Sequence, residues 1–236
     1  PRTPDNGGRG GTASAAAALS ESGSDWNRRF QRLCDELRSF TTNSSWTVRM
    51  ETNLSMFNLS RDFLYACEAY GRIIISELFL DDAQKTIRPT QLGGVAGGRK
   101  YVVQGILFKL ASDHYGLYGS DYAAAKVAGH ELKGLQAYFN ADVTGLHYPL
   151  LALVDYRGYR LVAMSLLPIS SSTIIYGTND GNTFHKESVA LSKKMERAAK
   201  LLNIKPHAVG KPAHTVVTAA AADLEGHLGH DDRFYL

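Results

Sequence analysis

Five consecutive residues, Tyr156-Arg157-Gly158-Tyr159-Arg160, place two guanidinium groups and two phenol rings at the junction of two apolar runs within VDYRGYRLVAMSLLPI. Guanidinium groups neutralise phosphate and aromatic faces stack on bases, which together is what single-stranded nucleic acid requires. A second basic group follows at Lys193, Lys194, Arg197 and Lys200. On a helix, Lys193, Arg197 and Lys200 share the solvent face opposite Leu191 and Met195. If the two groups converge, RNA is the ligand they fit. The structural alternatives are ordinary ones. Lysines decorate solvated helix faces, tyrosines beside a turn form cross-strand pairs, and Arg157 and Arg160 can pair internally with Asp155 or Glu225.

A different chemistry is suggested by the order of other parts. A glycine-rich stretch at 93–98 precedes Lys109 on an apolar run, Glu131 follows on a helix-forming segment, and Asp223 comes near the end. Phosphoryl transfer uses a glycine loop, a strand lysine held by a helix glutamate, and aspartates as base and metal ligand. The spacing departs from that scheme. The glycines of GGVAGG fall in two pairs, and the chain has neither a His-Arg-Asp nor an Asp-Phe-Gly sequence. Lys109, Glu131 and Asp223 therefore define a nucleotide-binding pseudo-enzyme as an alternative. His207, His214, Glu225, His227, His230, Asp231 and Asp232 lack the paired spacing of a zinc site. No catalytic residue, metal or cofactor is assigned, and the chain is read as not an enzyme.

The elements that must position these residues follow from periodicity. Residues 1–24 are Gly, Ala, Ser and Pro with few large apolar side chains, and read as a disordered tail or linker. A helix opens at Ser24 or Asp25 with Trp26, Phe30, Leu33 and Leu37 on one face. Residues 41–55 read as a connection. The period changes at Gly71, predicting a helix that gives way to a strand over Arg72–Leu80. Residues 101–112 read as one buried strand. A helix over Asp121–Phe139 has Ser120 as its cap. Strands over His147–Tyr156 and Tyr159–Pro168 form a hairpin turning at Gly158, with Leu161, Ala163, Leu166 and Leu167 toward the core. A strand from Thr173 ends in an Asn-Asp-Gly turn. The helix from Lys186 buries Leu191, Met195, Ala198 and Leu202, and strand, turn and strand follow Pro206. The class is α+β, a mixed or antiparallel sheet with a central hairpin and packed helices, kinase-like in the order of its elements.

Bulk properties set outer limits. The 236 residues are 44% hydrophobic and 21% charged, with a net charge of +3. That suits one globular unit over 25–236 and permits an anionic partner without demanding one. Two cysteines, Cys34 and Cys67, are too few for a disulfide framework and suggest a reduced, cytoplasmic setting. No apolar run approaches the roughly 18 residues of a membrane span, so no membrane insertion is expected. The sequons at Asn43, Asn53 and Asn58 read as chance matches.

Several stretches also carry a resemblance. DWNRRFQ at 25–31, SRDFLYACEAYGRIII at 60–75, the Tyr-Arg-Gly-Tyr-Arg stretch with STIIYGTNDG after it, and ADLEGHLGHDDRFYL at 222–236 resemble, in order, the Clu domain of the clustered-mitochondria family. The family motif continues into Leu-Leu-Asp, so the domain is expected to run a little past Leu236. The resemblance implies a cytosolic, non-catalytic module of a larger protein, with a ubiquitin-like region before it and tetratricopeptide repeats after it. It further implies binding to messenger RNAs for mitochondrial proteins and an effect on mitochondrial distribution. The alternative is a scaffold subunit contacting other proteins of a large cytoskeletal or ribonucleoprotein assembly.

Overall fold

The structure, a computed structural model, describes residues 25–92, 98–178, 183–211, 214–221 and 223–236. The expected tail at 1–24, the paired glycines of 93–97 and the Asn-Asp-Gly turn at 179–181 lie outside the described residues. The architecture is α+β, as expected.

Helix α1 spans Trp26–Ser39, and the Asp25 side chain caps it by accepting from the Arg28 amide at 2.9 Å. Trp26, Phe30, Leu33 and Cys34 are buried along one stripe, with Leu37 half-buried beyond them. Helix α2 runs without interruption from Trp46 to Ser76. The expected connection over 41–55 and strand over 72–80 are thus both corrected. Ile74 and Ile75 are buried as helix residues, so tertiary packing overrides their β-branched preference. Gly71 does not break the helix. A Cβ there would stand 2.9 Å from Val154 Cγ1, so its missing side chain lets α2 cross the sheet closely.

Strands β1 (Pro89–Thr90), β2 (Lys100–Val103) and β3 (Ile106–Leu110) come next. The single strand expected over 101–112 is a hairpin instead. Gln104 and Gly105 both have positive φ, 50° and 71°, the pattern of a two-residue turn that matches strand twist. Helix α3 (Asp121–Ala141) is capped by Ser120 as predicted, its side chain accepting from the Ala123 amide. Strands β4 (Leu146–His147), β5 (Leu151–Tyr156) and β6 (Tyr159–Ser165) follow. Pro149 falls in the gap between β4 and β5, dividing the first predicted hairpin strand. Leu161 and Ala163 reach the core, whereas Leu166 and Leu167 lie past the strand and are half-buried. The rest comprises β7 (Ile174–Gly177), α4 (Val189–Leu202), the hairpin β8 (His207–Lys211) with β9 (His214–Thr218), β10 (Glu225–Leu228) and β11 (Phe234–Tyr235).

Two cores result. In the first, α1 and α2 cover one face of a sheet ordered β1-β2-β3-β6-β5, around Phe63, Tyr101, Phe108 and Leu161. The strands pair antiparallel throughout. In the second, α4 and the end of α3 pack around Leu146, Tyr176, Leu191 and Met195 beside a sheet ordered β4-β11-β10-β7. Its β11–β4 pairing is parallel, so the sheet is mixed. Leu191, Met195 and Ala198 are buried on α4 as the periodicity predicted, with Leu202 half-buried. Among the described residues, no helix is long and apolar enough to cross a membrane.

Candidate functional site

Strands β5 and β6 stay in register to their ends, where Tyr156 faces Tyr159. Only Arg157 and Gly158 remain for the turn, and both take left-handed backbone, with φ of 50° and 81°. Among the described residues, nothing lies within 4 Å of where a Gly158 side chain would begin, so the tip is open. Positive φ is uncommon for a residue such as arginine, and asparagine, aspartate or glycine fill this turn position with less strain.

The tip stands between two helices. On one side, the Arg72 guanidinium of α2 lies 5.6 Å from the Tyr156 ring centroid, and the Arg157 guanidinium lies 5.1 Å from the same ring. Phe79, just past α2 and 85% exposed, meets the Tyr159 ring edge-on at 6.1 Å. On the other side, the first turns of α3 bring Tyr122 and Lys126, with the ammonium 4.7 Å from the ring centroid. An open cleft of about 360 Å³ lies here, lined by Tyr122, Ala125, Lys126 and residues 155–160. Exposed aromatic faces alternating with cations can stack planar groups and neutralise anions between them.

The cations are not equivalent. Arg160 donates to both Asp155 oxygens, at 2.6 and 2.7 Å, and to the Ala125 carbonyl at 2.9 Å. Hydrogen bonds from Arg160 hold the Asp155 carboxyl below its usual range, and the same bonds raise the Arg160 pKa. Arg160 is thus a strut tying the hairpin to α3, in line with the internal pairing foreseen for it. Arg72 has Glu68 at 3.5 Å. Lys126 and Arg157 have no carboxylate partner among the described residues.

The second basic group does not join the first. Lys193, Arg197 and Lys200 are exposed on α4 without an ion pair among the described residues. Lys194 Nζ donates to the Thr144 carbonyl at 2.7 Å, beyond the C-terminal end of α3. The hairpin tip lies at the N-terminal end of α3, and at 1.5 Å rise per residue these sites stand on the order of 20 Å apart. The expected convergence of the two basic groups is therefore not seen: Tyr156, Arg157, Tyr159 and Arg160 adjoin in one turn, and Lys194 lies beyond the far end of α3.

Of the nucleotide set, Lys109 Nζ and Glu131 Oε1 do meet, at 2.5 Å. Both side chains are about one-third exposed. Asp223 forms no ion pair with Lys109 among the described residues; it lies near the buried Tyr138 phenol, which burial pushes up to about 12, with smaller effects from Tyr176 and Asp223. Among the histidines, His227 is buried against Thr173 Oγ1 at 3.0 Å and Glu225 at 3.3 Å. The His214 side chain lies outside the described residues. No group of three potential metal ligands occurs among the described residues.

Sequence reasoning missed Arg72, Phe79, Tyr122 and Lys126. The i, i+4 spacing of Tyr122 and Lys126 at a helix start was readable. Arg72 and Phe79 were hidden by the strand expectation for 72–80.

The clustered-mitochondria family model matches residues 25–236, a span that takes in every described residue. The chain belongs to the CLU family. The CLU domain is 28% identical over 224 residues to the protein clueless of Drosophila persimilis, covering 90% of this chain and 14% of that protein. It is 28% identical over 224 residues to the Danio rerio clustered mitochondria protein homolog, covering 90% of this chain and 15% of that protein. It is 37% identical over 126 residues to the Arabidopsis thaliana clustered mitochondria protein, covering 51% of this chain and 9% of that protein. The CLU domain thus spans about one-seventh or less of the curated relatives it matches. No solved structure matches.

Proposed function

We propose that this CLU domain is a non-catalytic interaction module of a larger cytoplasmic protein, and that it binds single-stranded RNA across the β5–β6 tip. The carrying observation is Arg157, an arginine in left-handed backbone with no carboxylate partner among the described residues, set over the Tyr156 ring in a cleft that Tyr159 and Tyr122 also line. Backbone strain kept at an exposed position is a mark of function when a less strained residue type is available. Lys126 supplies the second free cation across the cleft. By family, the parent protein acts in mitochondrial distribution, and this module supplies part of its RNA contact.

Fluorescence anisotropy with a single-stranded RNA probe tests this reading. Binding weakens with salt, with a slope near −0.7 per phosphate contacted, so two or three contacts give roughly −1.4 to −2. Replacing Arg157 and Lys126 together by Ala lowers affinity by about tenfold or more and flattens that slope by about 1.4. Absent or salt-independent binding removes the proposal.

The Lys109–Glu131 pair supports the second reading, a nucleotide-binding pseudo-enzyme. Raised thermal stability with magnesium and ATP, abolished by Lys109→Ala, would establish it. An unchanged melting curve removes it.

A further inference from the structure

Helix α2 carries a second apolar stripe that the described residues leave uncovered. Its buried face is formed by Leu59, Phe63, Cys67 and Ile74. On the outward side stand Trp46, Met50, Leu54, Phe57, Leu64 and Tyr65, exposed by 51–78%. Steps of four, four, three and seven residues from Trp46 to Leu64 keep these side chains on one line, the spacing of a helix–helix seam. The overhang is greatest at the start, where every residue from Trp46 to Glu51 is exposed. Three aromatic rings of about 150–250 Å² each, with three aliphatic chains between them, make a patch of roughly 700 Å². Monomers seldom show more than about 300–600 Å² in one patch, whereas a stable complex covers about 800 Å² per partner.

We infer that this stripe is the seam of a homodimer, in which α2 packs antiparallel against α2 of a second copy. The patch is a ridge rather than a groove, so its fitting partner is another helical ridge of the same spacing. A second copy supplies one, and a two-fold axis makes the contact self-complementary. An axis between Ser55 and Met56 sets Leu54 against Phe57 of the copy and Trp46 against Tyr65 of the copy. The charges agree with this register. Arg61 is the charged residue within the stripe, and among the described residues it is held by its sequence neighbour Asp62 at 2.9 Å. The axis brings Arg61 level with Met50 and Glu51 of the copy, on the flank where Glu51 and Asp62 would otherwise oppose each other. Each arginine then lies between two carboxylates, one from each copy.

Sedimentation equilibrium of the 236-residue chain decides the matter. The expected mass is twice the 25.8 kDa of one chain. Leu54→Glu with Phe57→Glu raises the dissociation constant at least about 100-fold, while the far-ultraviolet melting curve of the monomer stays cooperative because neither side chain is buried. Glu51→Arg and Arg61→Glu each weaken the dimer, and the two together restore it. A wild-type chain that stays at 25.8 kDa up to about 100 μM, well above dissociation constants typical of stable dimers, overturns the inference. So does a Leu54→Glu, Phe57→Glu chain that dimerises like wild type. Failure of the double charge reversal to restore association overturns the antiparallel register.

Discussion

Asn27 Nδ2 donates to the Tyr235 hydroxyl at 2.9 Å, joining the first helix to the last strand across 208 positions of sequence. The same hydroxyl donates to Asp231 at 2.8 Å. Asn27 Oδ1 accepts from Gln31, whose amide also reaches the Tyr148 carbonyl at 2.7 Å. Asn27, Gln31 and Tyr235 are all buried. Tyr235→Phe leaves the Asn27 donor buried without its acceptor, at a cost of about 1–3 kcal/mol. Asn27→Ala removes that donor but also takes away one of the two acceptors of the Gln31 amide, leaving the Tyr148 carbonyl, and is expected to cost as much. Urea unfolding monitored by circular dichroism measures both.

Gly71 and Val154 make a tight crossing between α2 and β5. Gly71→Ala gains about 1 kcal/mol of helix propensity, but the new Cβ meets three Val154 side-chain atoms at 2.9–3.2 Å, and overpacking of this kind costs about 1–3 kcal/mol. The net change is expected to be destabilising. Val154→Ala alone leaves a void, and the pair Gly71→Ala with Val154→Ala is expected to be more stable than the two single effects combined predict. A double-mutant cycle on unfolding free energies reads that coupling directly.

Arg157→Asn separates stability from binding. Asparagine suits the left-handed turn better than arginine, so the variant is expected to gain a few tenths to about 1 kcal/mol in stability. It also loses a free cation beside Tyr156, so RNA affinity is expected to fall. Chemical denaturation paired with anisotropy tests the two signs separately. A variant that loses both, or keeps both, contradicts the role given to Arg157.

His147 makes stability depend on pH. Burial lowers its pKa below the ordinary 6.5, against the opposing effect of its contact with the Phe234 carbonyl. The folded state therefore favours neutral imidazole, and below pH 6.5 the unfolded chain takes up more protons than the native one. His147 contributes full stability above that value. The contribution declines as pH falls from about 6.5 toward the lowered native pKa, then levels off. Urea midpoints at about pH 7.5 and 5.5 should differ less in His147→Gln than in wild type.

The parts of this fold that sequence disclosed are those governed by local signals. Asp25, Ser120 and the Leu191–Met195–Ala198 stripe announced three helices. Gly158 between two apolar runs announced the central hairpin. The parts that stayed hidden depend on partners distant in the chain. Gly71 resembles a helix breaker until Val154 is beside it, and Ile74 and Ile75 resemble strand residues until they are placed under the sheet. The Thr-, Asn- and Ser-rich start of α2 offers little propensity of its own. The candidate site divides the same way. Its tyrosines and arginines were legible as a cluster because they adjoin in sequence. Phe79 and Arg72 reach the tip through α2, and the pairing of Arg160 with Asp155 could be listed only beside other partners until distances were available.

Strand β11 lies between β4 and β10 in the second sheet, although about ninety residues separate its parallel neighbour Leu146 from Phe234. At ribosomal rates of about 5–20 residues per second, β4 waits roughly 5–18 s with its inner edge bare. The second sheet therefore closes only after β11 emerges, and β4, at two residues, is too short an edge to recruit another strand in the meantime.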